Sequence, residues 1–140
     1  MKNIILVTGG AGFVGSHLVE ALLRDENNEV HVLDVAPLEQ AENLKLVNDH
    51  PNLKYTVGDL RSDRDIKAWF RRDAKTIYHL ASVVGIKKYI DDPLALIDIV
   101  VGGTRRLLDL AKDNQTRFLL SSTSEVYGKN PAVPWDEVGD

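Results

Sequence analysis

Residues 8–15 set the terms for the rest of the chain. Thr8-Gly9-Gly10-Ala11-Gly12-Phe13-Val14-Gly15 follows the β-branched run Ile4–Thr8 and opens a segment of helical period over 12–24. Gly10, Gly12 and Gly15 satisfy the spacing G-x-G-x-x-G, and Gly9, Gly12 and Gly15 satisfy G-x-x-G-x-x-G. In such a strand–turn–helix unit each glycine has a physical task. One makes the tight turn, one lets backbone approach a diphosphate, and one lets helix pack closely on strand. The helix amino terminus then presents unpaired amides and a positive dipole end to the phosphates. Glycines needed only for the turn would give the same string, so the motif requires a second mark.

That mark is Asp34. Glu29-Val30-His31-Val32-Leu33-Asp34 reads as a strand ending in a carboxylate 19 residues beyond Gly15, near the spacing of about 20 at which a dinucleotide fold places its ribose-binding acid. A carboxylate there accepts bonds from ribose hydroxyls and repels a 2′-phosphate. Val35 and Ala36 follow it instead of an arginine, so the residues favour NAD over NADP. The competing reading is an aspartate that merely caps a loop.

Beyond these motifs, β-branched runs alternate with stretches of helical period. Ile4–Thr8, Glu29–Asp34, Lys54–Val57, Thr76–Leu80 and Arg117–Ser121 read as strands, and 12–24, 38–49, 63–72 and 93–113 as helices. Several strands are apolar at successive positions, as strands covered on both faces are. The alternation predicts right-handed crossovers and an α/β, doubly wound parallel sheet. Asp92 and Pro93 suit the cap and first turn of the last helix. That helix carries two stripes: Leu94, Ile97, Val101, Thr104, Leu108, Ala111, and Leu96, Val100, Gly103, Leu107, Leu110. They form either one wide buried face or one face for the sheet and one for a second chain, the Gly103 stripe allowing a partner helix close. From Gly128 to Asp140 the periodicity is lost, and the stretch reads as an irregular tail after a domain spanning 1–127.

Composition narrows the function classes. The 140 residues fit a single domain of about 100–200 residues. With no cysteine there is no disulfide scaffold, thiolate zinc site or cysteine nucleophile. A net charge of −4 argues against nucleic acid or anionic membrane as partner. No apolar stretch approaches the roughly 20 residues of a membrane helix, and the expected location is cytoplasmic. Histidines at 17, 31, 50 and 79 form no i,i+4 pair, and His79 reads as a satisfied core histidine and not as a metal ligand.

Taken together, Thr8–Gly15, Asp34, Gly58-Asp59-Leu60-Arg61, His79-Leu80-Ala81-Ser82, the Gly103-Thr104 helix and Ser121-Ser122-Thr123-Ser124-Glu125-Val126-Tyr127-Gly128 resemble the extended short-chain dehydrogenase/reductase family. Within it the likeness is to the NAD-dependent epimerases and dehydratases of nucleotide sugars, in motif nearest to UDP-glucuronate decarboxylases. The resemblance implies a Rossmann sheet in the order 3-2-1-4-5, incomplete at its C-terminal side. It implies NAD held by Gly9, Gly12, Phe13, Val14 and Gly15 at the diphosphate and by Asp34 at the ribose. Asp59 and Leu60 would meet adenine, and Leu80, Ala81, Ser82 and Ser121 would line the cofactor. Thr123, Ser124 and Glu125 are the implied catalytic residues: Thr123 bonds the sugar hydroxyl being oxidised, and Glu125 orients the sugar or moves a proton near C5. The implied substrate is a nucleotide sugar, most simply a UDP-sugar, passing through a 4-keto intermediate. The implied assembly is a homodimer through helix 93–113. A Ser/Thr cluster that only caps the next turn would explain residues 121–125 without catalysis.

Two departures stand out. The family's base is a Tyr followed four residues later by Lys, and none of Tyr55, Tyr78, Tyr89 or Tyr127 has that lysine; Asp59, Ser82, Pro93 and Pro131 stand there. The chain is therefore expected to be the amino-terminal part of a longer enzyme, inactive alone, with a non-catalytic NAD-binding regulatory module as the alternative. Val100 also stands where the family commonly has Asn, which leaves that residue's hydrogen bonds to the backbone unmade.

Overall fold

The computed structural model describes residues 2–83, 85, 90–129 and 134–136. Tyr89, Pro131 and most of the expected 128–140 tail lie outside the described residues. Five parallel strands form one sheet in the order β3-β2-β1-β4-β5. They are β1 (Asn3–Thr8), β2 (Asn28–Asp34), β3 (Leu53–Val57), β4 (Thr76–His79) and β5 (Arg117–Leu120). The strands expected from sequence and the strand order implied by the resemblance both stand. β1 pairs Thr8 with Leu33 on one side and with His79 on the other. The order reverses at that point, so the carboxyl ends of β1 and β4 flank a crevice where open α/β sheets bind ligands.

Each face of the sheet has its own apolar layer. On one, α1 (Phe13–Leu23) packs Val19 and Leu23 over Ile5, Val7, Val30 and Val32. On the other, α2 (Asp63–Trp69) and α4 (Thr104–Asp113) pack Ile66, Trp69, Leu107 and Ala111 over Ile4, Leu6, Leu33 and Ile77. Trp69 is fully buried, and its Nε1 donates to the His31 carbonyl at 3.0 Å, anchoring α2 to β2. Among the described residues no helix is long and apolar enough to cross a membrane, and no group of three or more His, Asp or Glu side chains could hold a metal ion.

The helix expected over 38–49 is absent. Two 3₁₀ turns, Leu38–Gln40 and Glu42–Leu44, take its place, followed by further turns. Backbone bonds run three residues back along the segment, from Ala41 to Leu38, Leu44 to Ala41, Val47 to Leu44 and His50 to Val47. The apolar residues Leu38, Ala41, Leu44 and Val47 recur at a spacing of three, and all pack into the α1-side core. That is the 3₁₀ period, in which positions i and i+3 eclipse. An α-helix would carry part of this set away from the sheet.

The helix expected over 93–113 is present but interrupted. α3 (Pro93–Ile97) is capped by Asp92, whose Oδ1 accepts from the Ala95 amide at 3.0 Å. A π-helical turn over Asp98–Gly103 then leads into α4. The two stripes separate, and their assignment is the reverse of the one expected. The stripe containing Gly103 and Leu107 faces the sheet, and a Cβ built on Gly103 would lie 2.9 Å from Leu60 Cβ. The close approach therefore serves α2's neighbour Leu60 and not a partner helix. Leu94, Ile97, Val101 and Leu108 are the exposed set, while Ala111, expected with them, is buried.

Candidate functional site

A cavity of about 910 Å³ opens at the carboxyl edge of the sheet, over the β1–β4 crevice. Its floor is the glycine turn. Gly9 has φ +72°, in the left-handed region, and its amide donates to the Leu33 carbonyl at 2.9 Å. A Cβ on Gly9 would meet the Ala81 amide nitrogen at 2.7 Å, and one on Gly15 would meet the Gly9 carbonyl oxygen at 2.1 Å. The turn is thus closed against β4 on one side and against its own helix on the other, with no room for side chains. Gly10 lies under the turn against Val32 and does not line the cavity. The G-x-x-G-x-x-G reading through Gly9, Gly12 and Gly15 is the one that faces the space.

The electrostatics suit an anion. Gly12 caps α1 without any side-chain bond, and the first turn of α1 has no acidic residue. The amides of Phe13, Val14 and Gly15 have no acceptor within the helix, and all three residues line the cavity. Phe13 and Val14 are also among the exposed apolar residues.

Asp34 stands at the rim. Its Oδ2 accepts from the Ala11 amide at 3.0 Å and its Oδ1 from the Ala36 amide at 3.1 Å. The loop-capping role and the rim position therefore coexist in one carboxylate, since each oxygen keeps a free lone pair. Asn43 grips the same residue from the other side, its Nδ2 donating to the Ala11 carbonyl at 3.0 Å. Tyr55 donates its hydroxyl to the Ala36 carbonyl at 2.7 Å. Burial, reinforced by the charges of Asp34 and Glu39, pushes that phenol far above its ordinary pKa.

Asp59 and Leu60 also reach the cavity. Arg61 holds Asp59 with Nη2 at 2.6 Å and with Nε at 3.1 Å from both oxygens. This bidentate bond, joined by the Arg61 backbone amide and opposed by partial burial, lowers the carboxyl's pKa and keeps it ionised. Leu80, Ala81 and Ser82 complete the wall beyond β4.

The remaining sequence candidates lie elsewhere. Ser121 donates its hydroxyl to the His79 carbonyl at 3.2 Å. Thr123, Ser124 and Glu125 follow β5 at the same edge, exposed, and line no part of this cavity. Thr123 Oγ1 accepts from the Glu125 amide at 3.3 Å and caps a 3₁₀ turn over Ser124–Tyr127, the local role weighed against catalysis. Tyr127 stacks on Trp135 at 5.5 Å between ring centroids. Among lining residues, Arg61, Asp92 and Leu96 were not singled out for the site from sequence, although Asp92-Pro93 marks the helix start that brings two of them there. His79 is buried and fully partnered, as a core histidine should be.

Fold and site together define an α/β domain of the doubly wound type with an open cavity at the carboxyl edge of its sheet. The model of the GDP-mannose 4,6-dehydratase family matches residues 6–139, and the chain belongs to that family within the NAD-dependent epimerases and dehydratases. It is 42% identical to UDP-glucuronic acid decarboxylase 6 of Arabidopsis thaliana over 133 residues, which is 95% of this chain and 37% of the relative. It superimposes on the UDP-N-acetylglucosamine 4-epimerase of Methanobrevibacter ruminantium with a TM-score of 0.82 at 34% identity, covering 99% of this chain and 44% of that one. For the dTDP-glucose 4,6-dehydratase DesIV of Streptomyces venezuelae, solved with NAD bound, the TM-score is 0.81 at 34% identity, covering 94% and 43%. The chain thus spans less than half the length of each.

Proposed function

We propose that this chain forms the NAD-binding part of an enzyme that modifies nucleotide sugars through a 4-keto intermediate. The reading includes UDP-glucuronate decarboxylase, 4,6-dehydratase and 4-epimerase types, and Thr123-Ser124-Glu125 favours the first. The observation that carries it is the side-chain-free cradle at Gly9, Gly12 and Gly15, open to the uncapped amino end of α1 and rimmed by Asp34. NAD bound there supplies a hydride acceptor for the sugar's C4. The chain's own residues bind and orient. The α1 amides take the diphosphate, Asp34 takes the adenosine ribose, and Asp59 accepts from the adenine amine beside Leu60. Leu80, Ala81 and Ser82 line the path of the cofactor through the cavity. Ser121 meets it beyond the cavity at the end of β5, Thr123 bonds the reacting hydroxyl, and Ser124 and Glu125 serve the sugar. The division into a domain over 1–127 and a following segment belongs to the same reading. So does a homodimer, formed through the exposed stripe Leu94, Ile97, Val101 and Leu108.

Calorimetric titration tests the core of this. NAD should bind saturably at one site, and NADP at least about tenfold more weakly, because the 2′-phosphate meets the Asp34 carboxylate. Asp34→Ala should weaken NAD by about tenfold and narrow that gap. A folded protein that gives no heat with NAD defeats the proposal. A second reading, an NAD-binding module without catalysis, is favoured by Thr123's capping bond. Turnover of UDP-sugars by the longer protein that carries this segment separates the two: chemical change of the sugar supports the enzyme, and NAD binding without any turnover supports the module.

A further inference from the structure

One polar line crosses the otherwise apolar layer between the sheet and α4. Thr8 and His79 are register partners at the ends of β1 and β4, on the face that also carries Leu6 and Ile77. Both are buried. Thr8 Oγ1 lies 2.7 Å from His79 Nδ1, and His79 Nε2 lies 2.9 Å from Thr104 Oγ1. The Ala81 amide donates to Thr8 Oγ1 at 3.2 Å, and the Thr104 hydroxyl donates to the Val100 carbonyl in the π-helical turn. The two ends fix the direction of every proton. An amide can only donate and a carbonyl can only accept, while each hydroxyl and a neutral imidazole donates once. All four bonds form only if Thr8 donates to Nδ1 and Nε2–H donates to Thr104. An imidazolium would leave the buried Thr8 proton without an acceptor, and burial already holds the His79 pKa below its ordinary value.

The line ends where the cofactor reading needs rigidity. Ala81 is the residue whose amide nitrogen would stand 2.7 Å from a Cβ on Gly9, and both residues line the cavity. We infer that His79 is a positioning residue for the dinucleotide: as a neutral Nε2–H imidazole it ties the π-helical turn and α4 to Thr8, and through Thr8 sets the Ala81 backbone against Gly9. It touches no ligand itself. The inference rests on the dinucleotide reading given above. It also shows how Val100 takes part, through its carbonyl, with no side-chain hydrogen bond.

Thr104 does not line the cavity, so its substitution reads the coupling without altering a ligand contact. Thr104→Val keeps the shape and removes the acceptor for Nε2–H. It should raise the Kd for NAD about five- to tenfold in calorimetry. Thr104→Ser, which restores the hydroxyl, should return it to within about twofold. Imidazole ¹⁵N chemical shifts of the unsubstituted protein should show the neutral Nε2–H tautomer at pH 7, a readout independent of whether any variant folds. An Nδ1–H tautomer or a cation at that pH overturns the inference. So does NAD binding that is unchanged in folded Thr104→Val. Failure of the unsubstituted protein to bind NAD, with the Nε2–H tautomer in place, instead sinks the dinucleotide reading.

Discussion

Gly9 and Gly128 both have positive φ, at +72° and +60°, yet they differ in their surroundings. A Cβ on Gly128 would meet nothing within 4 Å, whereas one on Gly9 would press on Ala81 backbone at 2.7 Å. Left-handed backbone alone costs an alanine about 1–2 kcal/mol. Gly128→Ala should therefore destabilise by about 1 kcal/mol in urea unfolding and leave NAD affinity intact. Gly9→Ala should destabilise by about 3 kcal/mol or more, because the backbone clash cannot be relieved by rotating a side chain, and should abolish detectable NAD binding. Equal losses at the two sites would show that the Gly9–Ala81 approach has no part in the cradle. At this scale the sequence was informative where spacing carries the chemistry. Asp34 was found by its distance from Gly15, but Asn43 was not, because its bond to Ala11 spans 32 positions and belongs to no motif.

Elements were legible in proportion to how well a single period describes them. The strands are short runs, several of them apolar at successive positions, and their expected bounds lie within a residue or two of the observed ends. Segment 38–49 misled because a spacing of three lies close to 3.6, and only the i→i−3 bonds distinguish the two. In 93–113 the π-helical turn rotates one end relative to the other, so stripes drawn as continuous assign Ala111 to the wrong face. α2 is the opposite case, with every local signal in agreement. Ser62 accepts from the Asp65 amide at 3.2 Å, Asp63 and Asp65 occupy the first turn, and Lys67 lies in the last. Ser62→Ala should cost about 1 kcal/mol, lowering Tm by about 3 °C in a domain of this size. Since α2 follows the Asp59 loop directly, a larger fall in NAD affinity than in stability would mean that the cap also fixes Asp59.

At the scale of the molecule, two apolar surfaces stand uncovered among the described residues. One is the β5 edge, with Leu119 and Leu120 about half exposed, beside strand backbone that has no further neighbour in the sheet among the described residues. The other is the stripe Leu94, Ile97, Val101 and Leu108, on the side of α3 and α4 away from the sheet. These surfaces differ in kind: an open strand edge invites backbone pairing, whereas a helical stripe invites side-chain packing against another helix. The proposed homodimer uses the second. Leu108→Glu places a charge on that stripe, outside the dinucleotide cavity. Sedimentation velocity should find the unsubstituted protein as a dimer and Leu108→Glu as a monomer, with heats of NAD binding alike in both. A protein that sediments as a monomer before substitution removes the stripe from the assembly. A dimer that survives Leu108→Glu moves the interface to another surface, with the β5 edge the first to examine by charged substitution at Leu120.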